Sequence, residues 1–355
     1  MIYILAFSAL VLLRYVSTTL SSRRLLYPPI LILIFIFSAF RFEVGCDWTG
    51  YLNQFYVYGP ISISDLLDYR DPMWVGFFAL QKWIDLPYPW INVFSSLIFF
   101  LGLHFMARRQ EDPFAFLVML FPVLIINMPM SGIRQGAAIG VMFLAFVAFS
   151  DRRLVRFIVL TFLASAFHSS ALVFLLLSPL VHGGYSHKRV ILAGILAIPG
   201  GLLLMTGEAA EVAASRYVDS GRDAAGAVFR VGFLAVSAIY FFLFLRRKWA
   251  KLYPEDFKLV MVGALLMMAM TAILPISTVI ADRLSYYLIP IQAVIFARVP
   301  FLPWRANKAL HTALPYLALI FVFVTWASVS AHFKMCYIPY QTWLFGYPES
   351  IHHLF

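Results

Sequence analysis

The sequence predicts an all-α, polytopic integral membrane protein, and three observations carry that prediction. Of 355 residues, 62% are hydrophobic or aromatic and only 12% are charged, against about 25% charged in an ordinary soluble domain. Apolar runs that reach or approach the ~20 residues needed to cross ~30 Å of hydrocarbon recur along the whole chain. The polar linkers between those runs alternate in charge. A soluble globule, a fibrous protein and a disordered chain are excluded by this composition. The net charge of +10 is a product of membrane topology, so no nucleic-acid partner is expected.

The apolar runs fall at 1–13, 25–40, 89–107, 113–130, 133–150, 157–181, 190–206, 228–245, 259–281, 284–299 and 309–331. Flanking Tyr, Trp and Arg extend the shorter ones into the interface. No basic residue precedes Arg14, so the first run reads as a retained membrane helix and not as a signal peptide. The run Pro72 to Ile84 is too short to span and reads as a re-entrant or interfacial helix. The expected architecture is one transmembrane domain over 1–355, with about 10–12 crossings, that extra helix and no soluble domain.

Sidedness follows from the linkers. Those around Arg14 to Arg24, Arg108, Arg152, Lys188, Arg246 to Lys258 and Arg298 to Lys308 hold 18 of the 27 basic residues and only five acids. The positive-inside rule makes them cytoplasmic. The outer segments are then 41–71, 127–134, 207–228, 281–283 and the tail 332–355, and both termini lie outside. Parity makes Pro72 to Ile84 a segment that does not cross. The stretch from Arg156 to His182 has cytoplasmic flanks on both sides. It reads as two half-helices meeting near Phe167-His168-Ser169, the alternative being a single span that breaks the charge rule. Cys46 and Cys336 both fall outside. They make no metal site, and two free packing cysteines are expected in preference to one disulfide in an oxidising compartment.

Ionisable groups at a membrane boundary are costly and need a reason. Arg41, Glu43 and Asp47 share one short outer segment, with Trp48 and Tyr51 just beyond and Gly45 and Gly50 as turn residues. The plain alternative is a snorkelling arginine beside solvated carboxylates. Arg134 and Gln135 open an apolar helix at its outer end. A cation there opposes the helix dipole, and an anion held by Arg134 with the amides of 132–135 would resolve the conflict. His168 is a lone histidine at a recessed turn, a candidate base or a hydrogen-bonded packing residue. Arg283 follows Asp282 and precedes Tyr286 and Tyr287, aromatics that suit an interfacial belt or a sugar platform. Arg216 in the 207–228 loop is a weaker candidate, since loop arginines are ordinarily solvated.

Several outer-face arginines beside carboxylates and aromatics suit a large anionic lipid headgroup. The planar guanidinium bonds two phosphate oxygens at once. No paired-carboxylate motif of the DxD kind occurs, so neither metal nor cofactor is expected. The cytoplasmic loops hold no nucleotide-binding pattern.

The motifs occur in a recognisable order. Arg41, Gly45, Asp47, Trp48 and Tyr51 are followed by Gly-Ile-Arg-Gln at 132–135, Phe-His-Ser-Ser-Ala-Leu at 167–172 and Asp-Arg-Leu-Ser-Tyr-Tyr at 282–287. The chain from roughly 40 to 340 thereby resembles the EpsG/Wzy-type polysaccharide polymerases. It departs from that pattern at Cys46, where a small hydroxyl residue is usual, and at Asp71, where Glu is common.

The resemblance implies a GT-C-like integral-membrane glycosyltransferase of the bacterial inner membrane with its active site facing the periplasm. Its donor would be a glycan on undecaprenyl diphosphate and its acceptor a lipid-linked oligosaccharide repeat unit. Membrane lipid and a chain-length regulator are the other candidate partners. The implied catalytic candidates are His168, Asp47 and Glu43. The diphosphate and sugar would meet Arg134, Arg283, Arg41, Gln135, Tyr51, Trp48, Arg216 and Tyr287. A related O-antigen ligase would share the donor side and differ in its acceptor. A lipid-linked sugar transporter or flippase would carry charges near mid-membrane on several helices, whereas here they gather at the outer ends.

Overall fold

In the computed structural model of the chain, residues 2–58, 65–191, 194–195 and 226–347 are described. They are almost entirely helical, as the composition predicts, and six helices are long and apolar enough to cross a membrane. Shorter apolar helices accompany them, Ile2–Val16, Leu154–Phe167 and Phe257–Ile273 among them. The chain forms two compact units, one of Met1–Leu144, Phe162–Ala171 and Ala306–Phe355, the other of Ala145–Thr161 and Leu172–Arg305.

The first unit packs α1 (Ile2–Val16), α2 (Leu20–Ala39), α5 (Trp90–Ala107), α6 (Pro113–Leu120), the first part of α7 (Ile133–Ser150) and α14 (Lys308–Val329). One end of this bundle is fastened by Asp112, which caps α6 by accepting the Ala115 N–H at 2.8 Å. Its carboxylate also pairs with Arg14 at 2.9 Å and Arg23 at 3.1 Å. Residues assigned to the basic, cytoplasmic linkers therefore share one end of the unit. In mid-bundle the backbones of α5 and α7 almost touch. A Cβ on Gly102 would lie 1.8 Å from the Gly140 carbonyl oxygen, the close approach that small residues permit between apolar helices.

The opposite end carries a two-stranded antiparallel clasp, β1 (Arg41–Phe42) against β2 (Gln341–Thr342). Beside it the Cys46–Cys336 disulfide joins two segments 290 residues apart. This corrects the expectation of two free thiols. The spacing of 290 residues hides the pairing from sequence, and it takes the clasp to bring the two loops together. Arg41 lies beneath, its Nε donating to the Val44 carbonyl at 2.9 Å, its Nη1 to Ser38 O at 2.8 Å and its Nη2 to Asn92 Oδ1 at 2.7 Å.

The same end holds a layer of aromatics. Helix α3 (Trp48–Val57) and helix α4 (Pro72–Trp83) pack through Trp48, Tyr51, Phe55, Trp74 and Phe78 against Tyr88, Ile91, Ile133 and Trp343. Helix α4 stays in this layer. Its leading residue Asp71 bonds Arg134 at the start of α7. Near its other end Gln81 donates to the carbonyls of 86–88, the turn into α5. The short run is a 12-residue helix, below the length of the candidate spans.

The second unit centres on α10 (Ala227–Tyr240), α12 (Phe257–Ile273) and α13 (Thr278–Arg298), packed pairwise, with the short α11 (Arg246–Leu252) between α10 and α12 in sequence. Its basic end is fastened by Arg298 on Asp256 at 2.7 Å. Nearby, Lys258 donates to the carbonyls of Val181 and Gly183 and lies over the Phe149 ring. Both ends of the 154–181 stretch therefore sit beside one basic cluster. Between them α8 (Leu154–Phe167) stops at His168 and a 3-10 segment (Ser169–Leu177) leads back to α9 (Ser178–Val181). The stretch is two half-segments with a turn at the predicted residues. The helix predicted to start at 284 begins earlier, at Thr278. Ser277 caps it by accepting the Ile280 N–H, two residues after the helix-breaking Pro275.

Candidate functional site

Asp71 precedes α4, whose first residue is Pro72. The Asp71 side chain makes no cap bond to that helix. It turns outward instead. Its Oδ2 takes a 3.0 Å bond from Arg134 Nη1, and its Oδ1 accepts the backbone N–H of Ser169 at 2.9 Å. Three segments far apart in sequence meet at one carboxylate.

Arg134 sits in the first turn of α7, where the sequence left a cation in conflict with the helix dipole. Asp71 supplies the counter-charge. The expected nest of free amides is only partly available, because Gly132 N donates to Asn127 O and Ile133 N to Ser131 O. The Asp71 side chain is 8% exposed while that of Arg134 is 29% exposed, so the cation keeps an open side. Gln135 is buried next to it.

His168 is buried at the turn after α8. Its Nδ1 lies 2.7 Å from Ser170 Oγ, and the next residue, Ser169, is the one Asp71 holds. Phe77 of α4 packs on Phe167 with ring centroids 5.2 Å apart. A fourth side chain joins this frame that sequence reasoning passed over. Arg70 Nε donates to Ser169 Oγ at 2.9 Å. Arg70 is not among the residues singled out from the sequence, and Asp71 entered only as a departure from a family pattern. The signal that could have found them is the Arg-Asp-Pro order of 70–72, a charged pair directly before a helix-initiating proline.

The 41–47 loop packs against the loop that leads into Arg134. Gly45 has φ +106°, and a Cβ on it would lie 1.9 Å from the Met130 carbonyl oxygen, so only glycine fits. Glu43 and Asp47 on this loop are exposed. The other two expected contacts there are turned inward. Trp48 packs edge-on to Tyr88 with centroids 5.0 Å apart, and Tyr51 lies against Trp74 at 5.1 Å. Arg41 is 1% exposed. Burial pulls its guanidinium down to about 10, which leaves it charged at neutral pH. Its described bonds tie the loop to α2 and α5.

In the second unit Arg283 is half-buried within α13 and not at its start, because the helix begins at Thr278. Its neighbour Asp282 accepts from Arg230 Nε, and the Arg230 guanidinium lies over the Tyr286 ring at 5.2 Å. Tyr287 is fully buried against Phe174, with centroids 5.1 Å apart. Arg216 and most of the 207–228 loop lie outside the described residues.

Among the described residues, one group has metal-ligand spacing, Cys46, His332 and Cys336, and its two sulfurs are joined to each other. The described site thus offers cations, a recessed histidine and two exposed carboxylates. That set can hold an anion and accept a proton. A family model described as the EpsG family matches residues 24–342. No curated protein and no solved structure matches the chain.

Proposed function

The chain belongs to the EpsG family, and from that premise we propose that it polymerises lipid-linked oligosaccharide repeat units on the outer face of the bacterial inner membrane. The observation that carries this reading is the Asp71 carboxylate, which ties Arg134 to the turn beside His168. That cluster belongs to the disulfide-bearing end of its unit, opposite the basic end at Asp112. A disulfide suits an oxidising compartment, and basic linkers suit the cytoplasm. Charge and redox chemistry support the same orientation.

The donor is a glycan joined through its anomeric carbon to undecaprenyl diphosphate. A hydroxyl of the acceptor's terminal sugar attacks that carbon, a new C–O bond forms, and the bond to the diphosphate oxygen breaks with its electron pair. Arg134 stabilises the charge that develops on the leaving diphosphate. Such a fixed electrostatic donor is worth about 10²–10³ in rate. The hydroxyl proton passes to His168 or to Asp47, with Glu43 as the remaining carboxylate. A base with a ring nitrogen in a recessed turn suits a proton transferred late in the reaction. Arg41 serves the site by fixing the 41–47 loop. The reaction needs no metal in this account, and the lipid chains enter sideways between helices.

The test is direct. Purified protein in lipid nanodiscs is given undecaprenyl-diphosphate-linked repeat units, and the products are resolved on a gel. A ladder spaced by one repeat unit is the expected result. Single-step transfer to another acceptor with no ladder points to a ligase. Intact substrates with no transfer at all sink the enzymatic reading.

A further inference from the structure

We infer that Arg70 is a second phosphate-binding arginine of this site, and that it gives the site its preference for a diphosphate over a monophosphate. The inference rests on the reading above, in which Arg134 takes the donor diphosphate.

Arg70 is exposed, and an exposed arginine ordinarily samples many rotamers and is simply solvated. This one is tied by its Nε to Ser169 Oγ at 2.9 Å. The tie occupies a single N–H. Among the described residues the two Nη groups of Arg70 have no protein partner. A guanidinium anchored this way presents its remaining donors as a planar fork, the geometry that takes two oxygens of one phosphate.

The anchor is shared with Arg134. The Ser169 hydroxyl oxygen accepts from Arg70 Nε and its backbone N–H donates to Asp71 Oδ1, while Asp71 Oδ2 accepts from Arg134 Nη1. Two guanidiniums are thus hung on one carboxylate-and-serine frame. Asp71 offsets one of the two positive charges, so the trio carries a single net positive charge before ligand arrives. A polyprenyl diphosphate brings two adjacent phosphates, each with anionic oxygens, one for each fork. A monophosphate satisfies one fork and leaves the other in water.

The experiment titrates purified protein with undecaprenyl diphosphate and, separately, with undecaprenyl monophosphate. The parent should prefer the diphosphate. Arg70→Ala should weaken diphosphate binding about tenfold or more, the worth of one charge-assisted pair, and leave monophosphate binding within about threefold, so that the preference collapses. Ser169→Ala frees Arg70 without removing its charge and should give a smaller loss of the same kind. Arg70→Gln serves if the alanine variant does not fold, and an intact Cys46–Cys336 disulfide reports folding in each case.

Arg134→Ala is run alongside. If it loses diphosphate binding while Arg70→Ala binds as the parent does, the role of Arg70 is refuted and that of Arg134 stands. If Arg70→Ala weakens both ligands equally, it acts as a general surface charge and the inference fails. If Arg134→Ala binds as the parent does, the underlying reading fails with it.

Discussion

Asp71 and Arg134, 63 residues apart in the chain, form a 3.0 Å ion pair whose carboxylate also accepts the backbone N–H of Ser169. The pair resolves a conflict written into the sequence, a cation at a helix N-terminus. The same carboxylate sets the spacing between Arg134 and the His168 turn. Asp71→Asn keeps the shape and one acceptor oxygen but removes the charge that holds Arg134. The polymerisation rate should fall by about 10², within the range of a lost electrostatic contact, and the protein should still insert and keep its disulfide. Asp71→Glu should recover part of that rate. Equal rates for Asp71→Asn and the parent would mean that the pair is incidental.

Arg41 should behave differently from Arg134. Its guanidinium is buried and bonds Val44 O, Ser38 O and Asn92 Oδ1. Replacement by Gln leaves buried acceptors without a donor, a cost of about 1–3 kcal/mol for each group left unsatisfied. The expected outcome for Arg41→Gln is a lower thermal midpoint, with diphosphate affinity unchanged in the protein that remains folded. A normal midpoint with lost affinity would return Arg41 to the binding site.

The disulfide gives a chemical readout of sidedness. Cys46 and Cys336 should resist alkylation in the denatured, unreduced protein and both should label after reduction. Cys46→Ser should lower the thermal midpoint, because a bridge over 290 residues restricts a very long loop in the unfolded chain. Two labelled thiols without reductant, in protein purified from its membrane under non-reducing conditions, would contradict both the clasp and the outward orientation.

Metal independence follows from the cation-based chemistry. Ladder formation should continue in excess EDTA. Loss of activity that magnesium or manganese restores would require carboxylates to hold a metal, and would overturn the assignment of leaving-group stabilisation to arginine.

Much of the fold was legible because lipid imposes a strong, local rule. Apolar runs of sufficient length become helices, and basic linkers mark one side, so α5 and α7 were readable within a few residues. The break at His168 was readable for the same reason, since parity demanded a return. The start of α13 was missed, because Pro275 and Ser277 lie inside a run that hydropathy alone treats as one span. The site was only half legible. Arg134 stood out as a misplaced cation, but its partner Asp71 and the neighbouring Arg70 did not. Their role depends on a turn near residue 169 that returns to them through space, and pair contacts of that kind leave no local period. The burial of Trp48 and Tyr51 was hidden for a related reason: the aromatic layer that covers them is assembled from distant segments.

The most direct test of the central claim is the single-turnover rate of sugar transfer from a lipid-diphosphate donor, measured on parent, Arg134→Ala and Arg134→Lys in the same nanodiscs. Arg134 should be the group that takes charge from the leaving diphosphate. The account therefore predicts a fall of about 10²–10³ for Ala, and for Lys a smaller but clear fall, because a point charge cannot pair two phosphate oxygens in the same plane. Arg134→Ala turning over at the parental rate, with its fold and disulfide intact, would contradict the account and leave Arg134 as a partner of Asp71 and nothing more.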